Sequence, residues 1–188
     1  MKLDIGCGTR KKEGFKGVDI LPLEGVDYVC DLEKKLPFED NSVEEIFCSH
    51  TLEHIHNFPE LMAEFWRVCK PGAKVRILVP YFRSERAFRD PTHVRFFTYL
   101  TFNYFSRSDK VPHYNFQNNF KLINKKYTFN ESNYKSLNWK GKTRHFLEFF
   151  IKSIIAKLAN KHPHFYESTF LSYLYPAWDL DVKLAVIK

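Results

Sequence analysis

Apolar residues follow two rhythms along this chain. In the first half they gather in short runs: Lys2–Ile5, Gly17–Ile20, Val26–Cys30, Glu45–Ser49 and Lys74–Val79. These runs are bounded by turn-forming or acidic residues, which predicts short β-strands. Between the fourth and fifth runs, Phe58–Lys70 has helical spacing, with Leu61, Phe65 and Val68 on one face. Asn57 suits its cap, Pro59 its first turn, and Pro71-Gly72 its stop. Strands interleaved with helices predict a parallel α/β sheet with helices on its faces. Ligands in such sheets bind beyond the carboxyl ends of the strands.

The second half changes character. Ser84–Arg107 is rich in aromatics and arginine, and Val111–Asn119 reads as a polar, aromatic loop. Phe120–Phe129 reads as a strand, Phe146–Leu158 as an amphipathic helix, and Leu180–Ile187 as a last strand alternating Leu180, Val182, Leu184 and Val186. That helix suits either its own sheet or a membrane surface, with Phe149, Phe150, Ile154 and Leu158 opposed to Lys152 and Lys157. No internal repeat or low-complexity linker is present.

With 188 residues, 44% of them hydrophobic and 19 of them Phe, the chain can bury a core and is not a disordered polymer. One domain is expected, because two would need more chain. No run of 18 apolar residues exists, so no segment reads as a membrane-spanning helix. Met1-Lys2-Leu3-Asp4 lacks the apolar core of a secretion signal, and a cytoplasmic protein is expected. The four cysteines, Cys7, Cys30, Cys48 and Cys69, form no C-x-x-C pair and read as small buried hydrophobes. Charge is uneven. Up to residue 100 there are 15 Lys/Arg against 16 Asp/Glu, and beyond it 14 against 6. A basic second half suits an acidic substrate, nucleic acid or an anionic membrane surface, or simply keeps the chain soluble.

The first strand runs into Gly6-Cys7-Gly8, where glycine permits a tight turn and close approach of a ligand. The third glycine of a dinucleotide fingerprint is missing, which argues against NAD and FAD. Asp19 ends the second strand, where a carboxylate can accept hydrogen bonds from two ribose hydroxyls. Asp31 follows the third strand, within reach of an adenine amino group. Together they describe a pocket for an adenosine without phosphates.

The runs Leu3–Gly8 (LDIGCG), Gly17–Ile20 (GVDI), Cys30–Phe38 (CDLEKKLPF), His50–Ile55 (HTLEHI) and Arg67–Val79 (RVCKPGAKVRILV) come in this order. In this respect the chain resembles the type 11 branch of the class I S-adenosylmethionine-dependent methyltransferases. The resemblance implies a Rossmann-like, seven-stranded, mostly parallel sheet with an antiparallel last strand. Residues 1–80 would be the cofactor half of a single domain 1–188, and 81–188 the acceptor side. It implies S-adenosylmethionine as cofactor. Gly6, Cys7 and Gly8 would pass under the methionine portion, and Asp4 would help to hold its amino end. Asp19 would hold the ribose, Ile20 the adenine face, and Asp31 and Leu32 the adenine edge. Ser49 and His50 would border the transferred methyl. Two departures stand out: the usual helix before the first strand is missing, and the helix between Gly8 and Gly17 is cut to a turn or two.

His50-Thr51-Leu52-Glu53-His54 spells H-x-x-E-H, a zinc signature whose chemistry needs both histidines on one helical face. His50 ends a strand here, so no metal is expected and the same letters fall in the turn after the fourth strand. His56 reads as a surface or capping residue. Arg89–Phe97 (RDPTHVRFF) also resembles a pattern of the type 11 branch, one associated with glycan or lipid-linked substrates. His93 or Asp90 is the expected base there, with His54 as a further catalytic candidate. Tyr81, Arg86, Arg89 and Arg95 are the expected acceptor contacts, the arginines suiting an acidic acceptor. The plainer reading makes Asp90 a turn cap and puts Phe96 and Phe97 in the core. A small-molecule or glycan oxygen leads as acceptor, and nucleic acid is the lesser alternative. A second subunit, giving a homodimer, is one way to cover the open cofactor. A non-catalytic cofactor-binding or partner subunit of the same fold is the remaining alternative.

Overall fold

The computed structural model describes residues 1–106, 119–129 and 139–188, with residues 139–149 as backbone. The expected loop Val111–Asn119, but for its last residue, lies outside the described residues, as do the side chains of Phe146 and Phe149. Seven strands form one sheet: β1 (Lys2–Ile5), β2 (Lys16–Asp19), β3 (Val26–Val29), β4 (Val43–Ser49), β5 (Cys69–Pro80), β6 (Phe120–Thr128) and β7 (Asp179–Val186). Their order is β3-β2-β1-β4-β5-β7-β6. β1 pairs in parallel with β2 and β4, β2 with β3, and β4 with β5. β7 runs antiparallel to both β5 and β6. This is the sheet the resemblance implies, and the chain reverses direction across it at β1, between β2 and β4. The carboxyl ends of β1, β2 and β4 therefore open onto one crevice.

Four helices are described: α1 (Phe58–Val68), α2 (Trp139–Lys161), α3 (Pro163–Ser168) and α4 (Leu171–Leu174). α1 buries Phe58, Leu61, Met62, Phe65 and Val68, a stripe at helical spacing. Asn57 precedes it without a side-chain cap, a departure from expectation. Glu33 serves that end instead, with its two oxygens accepting the N–H groups of His56 and Asn57 at 2.6 and 3.0 Å. β5 begins directly at Cys69, so Pro71-Gly72 lies within the strand at its irregular start.

Among the described residues, no α-helix covers the β1–β2, β2–β3 or β3–β4 connections. The residues between Gly8 and Gly17 make turns, shorter even than the turn or two of helix expected. The strands they join are four residues long, so a short link suffices to return to the same end. Lys12 does part of a helix's covering work. Its ammonium lies 4.4 and 4.3 Å from the ring centres of Phe15 and Phe47, attracted to the ring faces while its stem shields them. α2 is longer than its predicted span and turns Ile155 and Ala159 inward, whereas Phe150 and Ile154 stay exposed. The helices α3 and α4 carry no sequence periodicity long enough to predict them. Cys7, Cys48 and Cys69 are buried and Cys30 half-buried, all as free thiols.

Candidate functional site

A cavity of about 300 Å³ opens at the strand ends, lined by Gly6, Asp19, Ile20, Asp31, Leu32, Glu33, His50, Thr51, His54 and Ile55. Its floor is the glycine turn. Gly6 has φ +67°, and a Cβ there would come within 2.1 Å of the Thr51 Oγ1. Only glycine fits, because both the backbone angle and the space forbid a side chain. Thr51 is held in place by donating its hydroxyl to the Ile5 carbonyl at 3.2 Å. Gly8, at φ +53°, has nothing within 4 Å of where its Cβ would be.

Two carboxylates stand on the wall. Asp19 accepts the N–H of Gly8 at 2.9 Å and that of Leu21 at 3.1 Å. A carboxylate has about four lone-pair directions, so two remain for a ligand. Asp31 accepts the N–H of Glu33 at 3.0 Å, and that bond, with the nearby Lys34 ammonium, holds its carboxyl below the usual range. Ile20 is 61% exposed, a free apolar surface between the two acids.

Six of the ten expected cofactor residues line this cavity: Gly6, Asp19, Ile20, Asp31, Leu32 and His50. Asp4 does not. It is buried beneath the turn, where burial raises its pKa, and it accepts the Lys12 N–H at 2.7 Å. Cys7 is buried, Gly8 borders the turn, and Ser49 closes β4 behind His50. Glu33, Thr51 and Ile55 line the cavity without having been singled out. A larger, shallow cleft of about 570 Å³ lies around Lys35–Asp40 and Arg67. Its one arginine is spent on Glu64, Asp40 and the carbonyls of Leu36 and Phe38, and it sits away from the strand ends.

At the far wall, His50 has φ +54°, a left-handed angle that costs a non-glycine residue energy and turns its ring toward two acids. Its Nδ1 lies 3.4 Å from Glu53 Oε1 and its Nε2 lies 3.8 Å from Asp179 Oδ1. Glu53 and His54 occupy a single 3-10 turn, Leu52–His54. The His54 ring meets that of His93 edge-on, with centres 4.7 Å apart. The insertion carrying His93 is pinned to this turn, since Val94 and Arg95 both donate N–H to the Glu53 carbonyl.

The acceptor-side expectations change more. Tyr81 has no exposed surface and packs against Phe82 and Tyr127, so it belongs to the core and not to the pocket. Arg86 donates from its single Nη1 to both oxygens of Asp179, at 3.0–3.1 Å, over the Trp178 ring. Burial raises the Asp179 pKa against the pull of His50 and Arg86. Arg95 binds the carbonyls of Ile55 and His56. Arg89 pairs weakly with Glu85, and both side chains are exposed. Asp90 caps its own turn, accepting the N–H and hydroxyl of Thr92 at 2.9 and 2.7 Å, which lowers its pKa. That is the plainer reading of Asp90. Phe97 is in the core, whereas Phe96 is exposed and stacked on Phe88 with ring centres 4.7 Å apart.

Residues 9–77 match the methyltransferase domain family. An alignment of 93 positions, covering 40% of this chain, is 31% identical to the biotin biosynthesis bifunctional protein BioHC of Cellvibrio japonicus; it spans 18% of that relative's length. The whole chain superposes on the YcgJ protein of Bacillus subtilis with TM-score 0.57 and 19% identity, covering 91% of that protein. An S-adenosylmethionine-dependent methyltransferase from Mesorhizobium loti matches over 98% of this chain and 89% of its own, with TM-score 0.54 and 14% identity. These structural likenesses carry the fold.

Proposed function

We propose, from the methyltransferase-domain match over residues 9–77 and the resemblance to the class I S-adenosylmethionine-dependent methyltransferases, that this protein moves a methyl group from that cofactor to an oxygen of a small molecule or glycan. The observation that carries the reading is the pair Asp19 and Asp31 on one wall of the strand-end cavity, with exposed Ile20 between them and the glycine turn beneath.

The residues suit the cofactor. Asp19 keeps lone pairs for two ribose hydroxyls, Asp31 offers an acceptor to the adenine amino group, and Ile20 offers an apolar surface to the ring. The Gly6–Gly8 turn leaves room for the methionine portion, with Ser49 and His50 toward its methyl. When bound, the cofactor supplies a sulfonium whose methyl is already activated for displacement. The protein's task is then alignment, since near-attack positioning of two partners is worth up to about 7–11 kcal/mol. His54, on the cavity wall, and His93, against it, are the imidazoles placed to relieve a hydroxyl acceptor of its proton, a contribution of roughly 10²–10⁴-fold.

The acceptor enters beside the insertion, where Phe88, Phe96 and Val94 are exposed and Arg89 reaches solvent. That surface suits a ring or chain with an acidic substituent. Exposed Phe150 and Ile154 on α2, Phe165 on α3, Phe170 just before α4 and Leu174 on it give a lipid-linked acceptor a peripheral surface to rest on. No helix among the described residues is long and apolar enough to cross a membrane; the expected compartment is the cytoplasm. The test is transfer of labelled methyl from S-adenosylmethionine into fractions of a cell extract. Label in a small, acid-containing or glycan fraction supports the reading; cofactor binding without any transfer favours a non-catalytic subunit, and label in nucleic acid moves the acceptor class.

A further inference from the structure

We infer that Glu53, His54 and His93 form a binding site for one divalent transition-metal cation, placed beside the methyl end of the cofactor cavity. The inference goes beyond the methyl-transfer reading: with the cation bound, the Nε2 lone pairs of His54 and His93 are coordinated and neither imidazole serves as the base, a role that belongs to the metal-free protein. One ligand-type atom from each of the three residues lies within 4.8 Å of the other two. The sequence puts two of them in the H-x-x-E-H run but pairs the wrong histidines. The fold leaves His50 on its strand end and brings His93 in from the insertion.

The second observation is Glu53 itself. Its side chain is 1% exposed, and neither carboxylate oxygen has a hydrogen-bond partner. A buried carboxylate in that condition is costly unless a cation joins it. Its neighbours are imidazoles at longer range: His93 Nε2 at 3.9 Å and His50 Nδ1 at 3.4 Å from Oε1.

The hydrogen bonds of the two histidines direct their lone pairs. His93 Nδ1 lies 3.0 Å from the Ala87 carbonyl, which only accepts, so Nδ1 carries the proton and, in the neutral ring, Nε2 keeps its lone pair. His54 Nδ1 lies 2.9 Å from the Thr92 hydroxyl, whose own proton goes to Asp90. His54 Nδ1 therefore donates, and its Nε2 is likewise left as a ligand. A hydrogen bond from the far nitrogen to a carbonyl or a relayed carboxylate is the arrangement that orients metal-binding imidazoles. Asp90 and Thr92, unneeded as catalytic groups, acquire a positioning role.

Two imidazoles and one carboxylate suit Zn²⁺, Co²⁺, Fe²⁺ or Mn²⁺ and leave coordination positions open. Adjacent ligand atoms around such a cation sit about 3 Å apart, given bonds near 2.1 Å, so small side-chain rotations would close the set. The open positions would take an oxygen of the acceptor, a hydroxyl or carboxylate, next to His54 on the cavity wall.

The test strips the purified protein with a chelator and titrates it with Co²⁺ and with Zn²⁺, following the visible absorption of bound Co²⁺, heat and thermal midpoint. One equivalent should bind and raise the midpoint. His93→Ala should weaken it at least tenfold, while affinity for S-adenosylhomocysteine stays within about twofold. Glu53→Gln keeps the volume and removes the charge, so it should also weaken metal binding at least tenfold and leave the midpoint of the metal-free protein unchanged or raised. It stands as the second variant if His93→Ala fails to fold. No saturable binding near one equivalent, or binding unchanged in Glu53→Gln, would overturn the site and leave Glu53 as the neighbour of His50.

Discussion

The carboxylate that faces the proposed ribose position also clamps the glycine turn: Asp19 Oδ2 accepts the Gly8 N–H at 2.9 Å. One residue thus shapes the floor and offers the ligand its remaining lone pairs. Asp19→Ala should lose at least about tenfold in affinity for S-adenosylhomocysteine, since a hydrogen bond to a charged group is worth about 1.5–3 kcal/mol. Amide exchange at Gly8 should quicken in parallel. A calorimetric affinity within twofold of wild type would remove Asp19 from the ribose.

The two glycines of that turn should respond differently to alanine. Gly6→Ala meets Thr51 at 2.1 Å and a positive φ, so it should cost about 2–4 kcal/mol by chemical denaturation and abolish cofactor binding. Gly8→Ala has open space and should cost only the left-handed backbone penalty, about 1–2 kcal/mol. Equal losses in the two variants would contradict the part given to Thr51.

Much of the sheet was legible because its signals are local. A short apolar run that ends in a glycine or an acid marks β1 to β3 without reference to anything distant. The same holds for Asp19, Asp31 and the turn, all carried by consecutive segments. The acceptor side was not legible, because its residues are defined by partners far along the chain. Arg86 reads as a free fork until Asp179 arrives, 93 positions away. Tyr81 reads as a strand-end aromatic until β6 covers it. Glu53 was visible only as the fourth letter of a run whose histidines seemed to be the point, and nothing in spacing alone brings His93 to it.

Lys125 gives a pH-dependent test of the fold. Burial lowers its pKa from 10.5 to about 8, although its ammonium binds the Tyr99 carbonyl and the Asn103 side chain. Below pH 8 it is charged in both folded and unfolded chains, and the folded state bears the cost of burying it. Between about pH 8 and 10.5 the unfolded chain holds the extra proton, so this group's contribution to stability rises with pH. Lys125→Met should therefore be most favourable relative to wild type near neutrality, its advantage shrinking as pH rises from 8 toward 10. Urea midpoints of both proteins across that range check the sign; a difference independent of pH would contradict it.

Arg67 separates structure from site. Its guanidinium ties Glu64 and Asp40 to the carbonyls of Leu36 and Phe38. Arg67→Ala would leave Glu64 with only the Leu36 N–H and the two carbonyls without their guanidinium, and should destabilise the protein by about 2–4 kcal/mol in denaturant titrations. The loop it holds supplies no lining residue to the strand-end cavity, so S-adenosylhomocysteine affinity should stay within about twofold below the unfolding transition. A tenfold loss would tie the Lys35–Asp40 cleft to cofactor binding.

The central claim is that the cavity walled by Asp19 and Asp31 holds S-adenosylmethionine. Calorimetric titration of the wild-type protein with S-adenosylhomocysteine tests it most directly, with Asp31→Ala run beside it. The account predicts saturable one-to-one binding that Asp31→Ala weakens severalfold, because the adenine amino group then loses its acceptor. Absence of saturable binding by the folded wild-type protein, or equal binding by the variant, would contradict it.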